Sequence, residues 1–520
     1  MRKGLLTLLS LMVVLSMLVA ACGGAAPAAA PAPAEEAAAT EAAPAEATEA
    51  ASEEAAADAP AAEAVETPVV LVAPAEVMEG RIPVRWYVGL GSGTDPQQIA
   101  VQQAVVDKYN ASQDKIQLIL EIVTYNAARD VLATQIAAGN GPDIIGPVGG
   151  SGSNSFYGQW LDLKPLIESS GYDLSQFGES SVNFFITEEG QVGLPFASFP
   201  SMVYYQREMF DEAGLNYPPQ EYGAPYVMPG GAELEWNYDT MTKLAKVLTV
   251  DVDGNSPLEI NDADEFVENP DFDATKIVQY GYVPQYQDPR AIGSFHRAGR
   301  LVADDGVTAQ IPEAWTAAWK WYYDGMWGDQ PFIPTFPIIQ SPEFGAGNPW
   351  NSGKIAMALT HLWYTCCIGS AGDSWDIAVV PSFEGTTTAN LNADTFRVWK
   401  GTKNPEAAFE VLSYLVGEGS LELLGAYGGM PARVSDQEQF FANLDARYPQ
   451  GVNWDVAKAG MDYPDIPSNE AYTPGYLEMQ DRVNTFNTLL QSEGGLDIDA
   501  EIAKLQSDLQ TIYDKALANQ

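Results

Sequence analysis

Oxygen-bearing side chains recur at calcium-loop spacing in one acidic stretch of the 520-residue chain. Positions 1, 3, 5, 9 and 12 of this segment, which supply ligands in an EF-hand loop, hold Asp251, Asp253, Asn255, Glu259 and Asp262. Position 6 has Ser256 instead of glycine, and no second EF-hand helix is evident after the segment. The sequence therefore leaves two alternatives open, a structural calcium site and an acidic surface insertion.

Cysteine chemistry is confined to a single adjacent pair in the folded part of the chain. Cys366 and Cys367 are the only cysteines after Cys22, which excludes a CxxC zinc pattern and an ordinary disulfide framework. In an oxidising compartment the pair could close a vicinal disulfide and make its loop rigid. Two buried free thiols are the alternative.

Charge and histidine content exclude several classes of function. Only His296 and His361 occur, which leaves little room for His-based metal sites or catalytic triads. The part after Gly80 carries 58 acidic against 24 basic residues, a net charge of −34, which disfavours nucleic acid as a partner. A glycosidase or lyase needs two placed carboxylates, but among 70 acidic residues such a pair is always available on paper.

Strand and helix patterns alternate at the start of the folded part. Residues 82–89, 116–123 and 143–145 are apolar and strand-like, and amphipathic helical segments separate them. This order predicts βαβ units in a parallel sheet, whose ligands lie at the carboxyl ends of strands. Those ends are 89–93 and 146–155, both rich in Gly and Ser, and the first lacks the G-x-G-x-x-G spacing of a dinucleotide site.

The N-terminus has the features of an export signal. A basic start and an apolar stretch from Leu5 to Ala21 end in small residues before Cys22, which resembles the lipobox of bacterial lipoproteins. A transmembrane helix is the alternative, but the stretch is short for one and no stop-transfer charges follow. The sequence predicts a signal peptide at 1–21 and a lipid on Cys22. Residues 22–80, rich in Ala, Pro and Glu, are predicted to form a disordered linker at the outer face of the cytoplasmic membrane.

Four motifs in order resemble those of the extracellular solute-binding proteins of bacterial sugar ABC transporters, the family that includes the maltose-binding protein. Residues 193–215 contain GLP, YYQ and FDEAGL, and 136–144 contain AAGNGPDI. Residues 344–363 contain FG, GKIAMAL and HLW, and 402–409 read TKNPEAAF. The resemblance extends over about residues 82–520.

This resemblance implies an α/β fold of the two-lobed periplasmic-binding-protein type (type II-like), with the ligand cleft between the lobes and hinge strands crossing between them. The first lobe is expected at 82–197 plus 393–430, and the second at 200–391 plus 432–520. The segment Pro195–Ser201 would make the first crossing. The proline and the small residues of this segment fit a plain loop almost as well as a crossing strand.

The resemblance also implies site residues. Trp363 matches an aromatic platform for the sugar, with Tyr364 beside it, although a core tryptophan is the alternative. Phe199 occupies a position that carries a carboxylate in the maltose-binding protein, which favours stacking, and Ser198 precedes it. Asp394 would hold sugar hydroxyls, or would be a loop carboxylate in water.

Hydroxyls and amides at the strand ends would add contacts to the sugar, and the C-terminal region would add aromatic rings. The residues expected in these two roles are Ser92, Ser151, Trp454 and Tyr472. The sequence thus favours a receptor that captures a sugar, an oligosaccharide rather than a monosaccharide, and delivers it to a permease. It would be a monomer with no cofactor other than the calcium considered above. The alternatives are a secreted glycosidase or lyase and a structural or adhesive surface protein.

Overall fold

The protein is described by a computed structural model over residues 69–518, except 92, 188, 287–291, 370–373, 466, 467 and 469. The predicted signal peptide, Cys22 and Ser92 therefore lie outside the described residues. The principal strands are β1 (Val70–Val72), β2 (Ile82–Val88), β3 (Ile116–Val123), β4 (Ile144–Val148), β5 (Leu194–Gln206), β6 (Val250–Asp251), β7 (Ile277–Val283), β8 (Ile355–His361), β9 (Trp375–Ala378), β10 (Leu391–Val398) and β11 (Met430–Pro431). Four two-stranded hairpins pair Ile186–Thr187 with Gly190–Gln191, Tyr226–Val227 with Glu233–Leu234, Leu258–Ile260 with Phe266–Glu268, and Ser382–Phe383 with Thr386–Thr387.

Helices cover the sheet and form much of the C-terminal part. They are α1 (Pro96–Ser112), α2 (Tyr125–Ala137), α3 (Gly150–Asn154), α4 (Lys164–Ser170), α5 (Glu179–Phe184), α6 (Arg207–Glu212), α7 (Tyr238–Val247), α8 (Glu313–Trp327), α9 (Phe336–Ile339), α10 (Pro405–Leu415), α11 (Ser420–Tyr427), α12 (Gln437–Arg447), α13 (Asp455–Gly460), α14 (Tyr476–Ser492) and α15 (Ile498–Ala518). Short 3-10 turns lie at Leu174–Gln176, Gly293–His296, Pro342–Phe344, Pro349–Ser352, Leu362–Cys366 and Val434–Asp436. No helix in the described part of the chain is long and apolar enough to cross a membrane.

The predicted βαβ units are confirmed at the start of the folded part. β2 pairs in parallel with β3 and with β4, and every residue of β3 is buried. Asp95 caps α1, because its carboxylate accepts a hydrogen bond from the amide of Gln97, and the Gln98 side chain completes a capping box. The carboxyl ends of β2, β3 and β4 thus lie along one edge of the sheet.

The predicted linker ends earlier than expected. Residues 70–72 form β1, which pairs antiparallel with β3 through Val70 with Val123 and Val72 with Ile122. The apolar run that precedes residue 80 supplies this edge strand, since its backbone groups can pair with the exposed side of β3. The linker boundary at residue 80 is therefore wrong.

Long strands carry the sheet from one core to another. The sheet order is β1-β3-β2-β4-β10-β5-β8-β7-β6, and β9 and β11 also pair with β5. The first half of β5, from Leu194 to Pro200, pairs with β10, and its second half, from Ser201, pairs with β8. β5 therefore crosses as predicted, and β10 and β11 run beside it at the crossing.

Separate hydrophobic cores lie on either side of the crossing. One core draws its buried residues from 84–199 and 396–432, with Trp86 and Phe396 packed edge to face at 5.8 Å. A second draws most of its residues from 202–389 and 430–457. Helices α8, α14 and α15 bury a third. The first two cores lie on opposite sides of the crossing and define two lobes. Each large apolar side chain that is buried stabilises its core by about 1.5–3 kcal/mol.

A buried polar network ties the crossing together. The Asn390 side chain lies 2.6 Å from His361 Nε2 and donates to Asp465 at 2.8 Å, and the Leu391 amide donates to the same carboxylate at 3.0 Å. Burial lowers the pKa of His361 to about 4 and raises the pKa of Asp465 to about 7. His361 is therefore neutral at physiological pH, and the end of β8 is fixed against the start of β10.

Candidate functional site

A cavity of about 730 Å³ opens between the two lobes, within the usual size range of ligand sites. One wall comes from the edge of the first sheet, where the loop after β2, the start of α2 and helix α3 meet. The opposite wall includes Trp363 and Glu470, and the crossing strands contribute Phe199 and Asp394. The cavity therefore lies at the carboxyl ends of the parallel strands, where the sequence placed it.

Hydrogen bonds from the first lobe shape the two glycine-rich loops at this edge. The Trp86 indole donates to the carbonyl of Gly146, a residue of β4, at 2.7 Å. Gln102 of α1 donates to the Gly93 carbonyl at 2.7 Å, and the Gly93 amide donates to Gln98 at 2.8 Å. These contacts fix the loops, and the small residues of the loops face the cavity.

Trp363 is the main aromatic group of the cavity. It lies on the 3-10 turn Leu362–Cys366, directly after β8, and packs against both of the first two cores. Its indole nitrogen donates to the Asn392 side-chain oxygen at 3.2 Å. Its ring is nearly parallel to those of His361 and Tyr286, at 15° and 12°. Because these contacts orient the ring, Trp363 can present a flat surface to a ligand with little loss of entropy.

Two carboxylates approach the same part of the cavity from different elements. Asp394 lies on β10, and Glu470 lies in the segment before α14. Gly149 and Gly150 make room for them, because a Cβ at either position would approach Asp394 Oδ1 or Glu470 Oε2 to 3.1 and 2.8 Å. Burial, and then the negative charge of Glu470, raise the pKa of Asp394 to about 7.

We expect Asp394→Asn to stabilise the protein in a pH-dependent way. A carboxyl whose folded-state pKa is raised destabilises the fold once it ionises, and this cost is complete above about 7 and absent below its ordinary value of 3.8. Since the side chain is part-exposed, we expect a gain of about 1–2 kcal/mol at about pH 8. Denaturant unfolding at about pH 8 and about pH 4 measures it. A gain that is equal at both pH values would contradict the assignment.

Direct contacts bridge the lobes at one end of the cavity. The Asn154 side chain of α3 donates to the Glu470 carbonyl at 2.5 Å, and Gln480 of α14 donates to Ser151 at 2.7 Å. The rings of Tyr157 and Tyr472 stack with centroids 4.0 Å apart. Helix α3 thus contacts the segment before and within α14, so the cavity is closed at this end.

Four of the residues expected in the site line the cavity, namely Trp363, Asp394, Phe199 and Ser151. Tyr364 does not: it is fully buried, and its hydroxyl donates to Asn348 at 2.6 Å. Trp454 is buried among aromatic rings of the second lobe, including Trp375. For these two positions, packing in the core replaces the expected ligand contact.

The last two expected residues lie near the cavity rather than on its wall. Ser198 lines a separate small cavity of about 50 Å³, since it points away from its neighbour Phe199. Tyr472 stacks on Tyr157 and lines a groove beyond the bridge between the lobes. Tyr472 therefore contributes to lobe contact in this structure rather than to the wall of the main cavity.

Sequence reasoning missed several polar residues of the cavity wall. Tyr125, Asn126, Arg129 and Asp130 come from the start of α2, directly after β3. The strand-end rule that singled out the loops after β2 and β4 applies equally to this segment. Asn392 lies in the Asn392-Ala393-Asp394 segment that drew attention to Asp394. No motif pointed to Glu470.

The calcium-loop residues are not arranged around a common centre. The carboxylate of Asp251 accepts hydrogen bonds at 2.9 Å from the backbone amides of Asp253, Asn255 and Asp273. Glu259 lies in the hairpin strand Leu258–Ile260, and Asp262 follows it in the connection. Among the residues that the structure describes, no group of three or more His, Cys, Asp or Glu could hold a metal ion. The stretch is therefore a turn followed by a β-hairpin.

Cys366 and Cys367 are bonded to each other at the end of the turn that carries Trp363. The side chains of Asn348 and Asn351 donate to the Cys367 carbonyl at 3.2 and 2.9 Å. The bonded pair is part-exposed and packs against the second lobe. Of the two alternatives that the sequence left open, the structure has the vicinal disulfide.

We expect the purified Cys22→Ala chain to contain no free thiol without reductant, because its remaining cysteines are bonded to each other. Intact mass before and after reduction should differ by two hydrogens. Alkylation should add two groups only after reduction. The Cys366→Ser form of the same chain is the control and should take up one group without reductant. Uptake of two groups by the unreduced parent would contradict the bond.

Fold and cavity together define a two-lobed binding protein with its ligand cleft at the lobe junction. The sequence matches the model of the family described as bacterial extracellular solute-binding protein over residues 94–422. The chain belongs to this family. It is therefore an exported solute-binding protein.

Solved structures of other binding proteins share the fold of this chain. An ABC substrate-binding protein from Listeria monocytogenes in complex with cycloalternan is 17% identical, with a TM-score of 0.62 over 84% of this chain and 99% of the other. A maltose/maltodextrin-binding domain from Bdellovibrio bacteriovorus bound to maltotriose is 16% identical, with a TM-score of 0.58 over 84% and 100%. A cyclic alpha-maltosyl-1,6-maltose binding protein from Arthrobacter globiformis is 16% identical, with a TM-score of 0.59 over 84% and 100%. No curated protein sequence matches the chain.

Proposed function

We propose that this chain is the sugar-binding component of an ABC importer, which captures an oligosaccharide between its lobes and delivers it to the permease. The observation that carries the proposal is the wall of the cleft, where the oriented Trp363 ring faces amide, hydroxyl and carboxylate groups of the other elements. Sugars present apolar C–H faces to rings and hydroxyls to such polar groups. A ligand that touches both walls favours the closed arrangement of the lobes.

Size and neighbours support an oligosaccharide over a monosaccharide. The cavity volume of about 730 Å³ exceeds what a single sugar ring fills. The similar structures from Listeria, Bdellovibrio and Arthrobacter are named for cycloalternan, maltotriose and a cyclic maltosyl-maltose. The proposed ligand is therefore an oligosaccharide.

Intrinsic tryptophan fluorescence against a panel of malto- and cello-oligosaccharides tests the proposal. We expect a saturable shift for at least one sugar, because Trp363 lies on the cleft wall. Chromatography of the same samples should show the sugar unchanged. Release of shorter sugars, or the absence of saturable binding across the panel, would contradict the proposal.

We also propose that Cys22 carries a lipid and that residues after it tether the binding body to the membrane near its permease. Support comes from the apolar stretch, the small residues before Cys22 and the Ala-, Pro- and Glu-rich composition that follows. A tether of this kind keeps the local concentration of the receptor high at the transporter. The body itself would act as a monomer.

Cys22→Ala should release the protein from the membrane without changing the sugar affinity of the body. The reason is that the cleft residues all come after residue 89, in the body and not in the proposed tether. Membrane fractionation followed by fluorescence titration of both forms measures the two effects. If the released form lost its affinity, the separation of tether from cleft would be wrong.

A further inference from the structure

The start of α2 forms an exposed wall of the cleft. Tyr125, Asn126, Arg129 and Asp130 line the cavity, and all four are exposed. They form two pairs at i, i+4 spacing, Tyr125 with Arg129 and Asn126 with Asp130, so they lie in adjacent rows on one side of the helix. Because α2 begins directly after β3, this wall stands at the carboxyl edge of the sheet of the first lobe.

Tyr125 carries the most unusual ring of this wall. Its exposed fraction of 65% is the highest of any large apolar or aromatic side chain in the described part of the chain. By contrast, Tyr286 at the cleft is exposed to 48% and is nearly parallel to the ring of Trp363. No described aromatic side chain packs against Tyr125. The faces of its ring are therefore open to a ligand in the cavity.

The polar groups of the same wall are also open. Among the residues that the structure describes, none forms a hydrogen bond or an ion pair with the side chain of Asn126, Arg129 or Asp130. Elsewhere in the first lobe, Arg85 pairs with Glu121 at 2.6 Å and Lys108 with Glu422 at 2.8 Å. The α2 wall thus offers a guanidinium, an amide and a carboxylate beside an open ring.

The cavity has an inner part and an outer part. Phe199 on the crossing strand is buried, and Trp363 and Asp394 are half-buried, so they mark the inner part. The exposed side chains of α2 mark the outer part, on the wall of the first lobe. A ligand that fills both parts therefore touches Trp363 at one end and the α2 wall at the other.

We propose that the outer part is a further sugar subsite that sets the length of the ligand. The sugar unit at the outer end of the chain packs on Tyr125 and its hydroxyls bond to Arg129 and its polar neighbours, while an inner unit packs on Trp363. This rests on the proposed function and specifies its class of ligand, a tetrasaccharide or longer chain rather than a disaccharide.

The chemistry of the wall matches a neutral sugar unit. The C–H face of a pyranose packs on an aromatic ring, and a tyrosine has few torsions to order when it does so. The guanidinium of Arg129 supplies donors only, whereas the amide of Asn126 both donates and accepts and the carboxylate of Asp130 accepts. The hydroxyls at the rim of the sugar can use all three. A chain that touches both lobes in this way also favours their closed arrangement.

Titration against sugars of increasing length tests the subsite. The probes are maltose and maltotetraose, and cellobiose and cellotetraose, each added to the full chain in an isothermal titration. We expect the tetrasaccharide of the series that binds to have an affinity at least about 10-fold higher than its disaccharide. The added units reach the α2 wall, which the disaccharide on Trp363 leaves empty.

Tyr125→Ala links this length preference to the proposed ring. We expect the variant to lose about 5-fold or more in affinity for the tetrasaccharide and to stay within about 2-fold of the parent for the disaccharide. Tyr125→Phe keeps the ring and should keep both affinities. The matched control is Phe336→Ala, which removes a 43% exposed ring of α9 that does not line the cavity and should leave both affinities unchanged. Thermal unfolding verifies that the variants are folded.

The outcomes separate this inference from the proposed function. If the parent binds the disaccharide as tightly as the tetrasaccharide, the inference is overturned and the sugar-binding function stands. The same holds if Tyr125→Ala weakens both lengths equally or neither of them. If no probe and no sugar of the wider panel binds, the proposed function fails and the inference fails with it.

Discussion

Trp363→Ala is expected to weaken sugar binding by about 2 kcal/mol or more, roughly 30-fold in Kd. The ring forms the aromatic part of the cleft wall, and its orientation is fixed by Asn392 and by the parallel rings of His361 and Tyr286. Alanine removes the stacking surface and leaves a gap that water fills. Isothermal titration with the tightest sugar of the panel measures the loss.

Two controls separate lost stacking from a general effect. Trp363→Phe keeps a flat ring without the hydrogen bond to Asn392 and should recover most of the affinity. Trp327→Phe changes a tryptophan of α8 whose indole donates to Leu490, far from the cleft, and should leave the affinity unchanged. Equal affinity of parent and Trp363→Ala would exclude this ring from the ligand contact.

Gly281→Ala is expected to lower the free energy of unfolding by about 3 kcal/mol or more. Gly281 lies in β7, where α7 packs so closely that an added Cβ would overlap the backbone of Ala245. The amide of Gly281 also donates a hydrogen bond to the hydroxyl of Thr249 at 2.9 Å, which holds the strand in its place. The helix must therefore move away from the sheet of the second lobe. Urea denaturation measures the change in midpoint.

Gly425→Ala is the matched control in the first lobe. Gly425 lies inside α11, and no atom lies within 4 Å of the position of an added Cβ. Alanine has the higher helix propensity, so we expect a gain of about 0.5–1 kcal/mol. Equal destabilisation by the two substitutions would contradict the close packing of β7 and α7.

Local sequence signals predicted the first half of the fold well. The β-branched run at 116–123 corresponds to β3, and Asp95 with the following proline marks the start of α1. Such signals act within a few residues, so they are visible in the chain itself. The crossing at 195–201 required the family resemblance, because its composition also fits a loop. The edge strand β1 was missed because its three residues lie within a long segment rich in Ala, Pro and Glu.

The site could be predicted only in part, for a physical reason. Trp363 and Ser151 follow strand ends, where side chains of this fold meet the cleft. Trp454 and Tyr364 have the same type of ring, but packing against the second core decides their orientation. Glu470 reaches the cleft through the path of the C-terminal segment, which no local spacing encodes. Calcium-loop spacing leaves its two alternatives open because turns and hairpins also favour Asp and Asn.

The crystal structure of the protein with the tightest-binding oligosaccharide tests the account most directly. We expect the sugar to lie between the lobes, with one ring against Trp363 and polar contacts to Asp394 and to helix α3 around Ser151. A sugar bound at another surface, and not in the cavity of about 730 Å³, would contradict the assignment of the cleft.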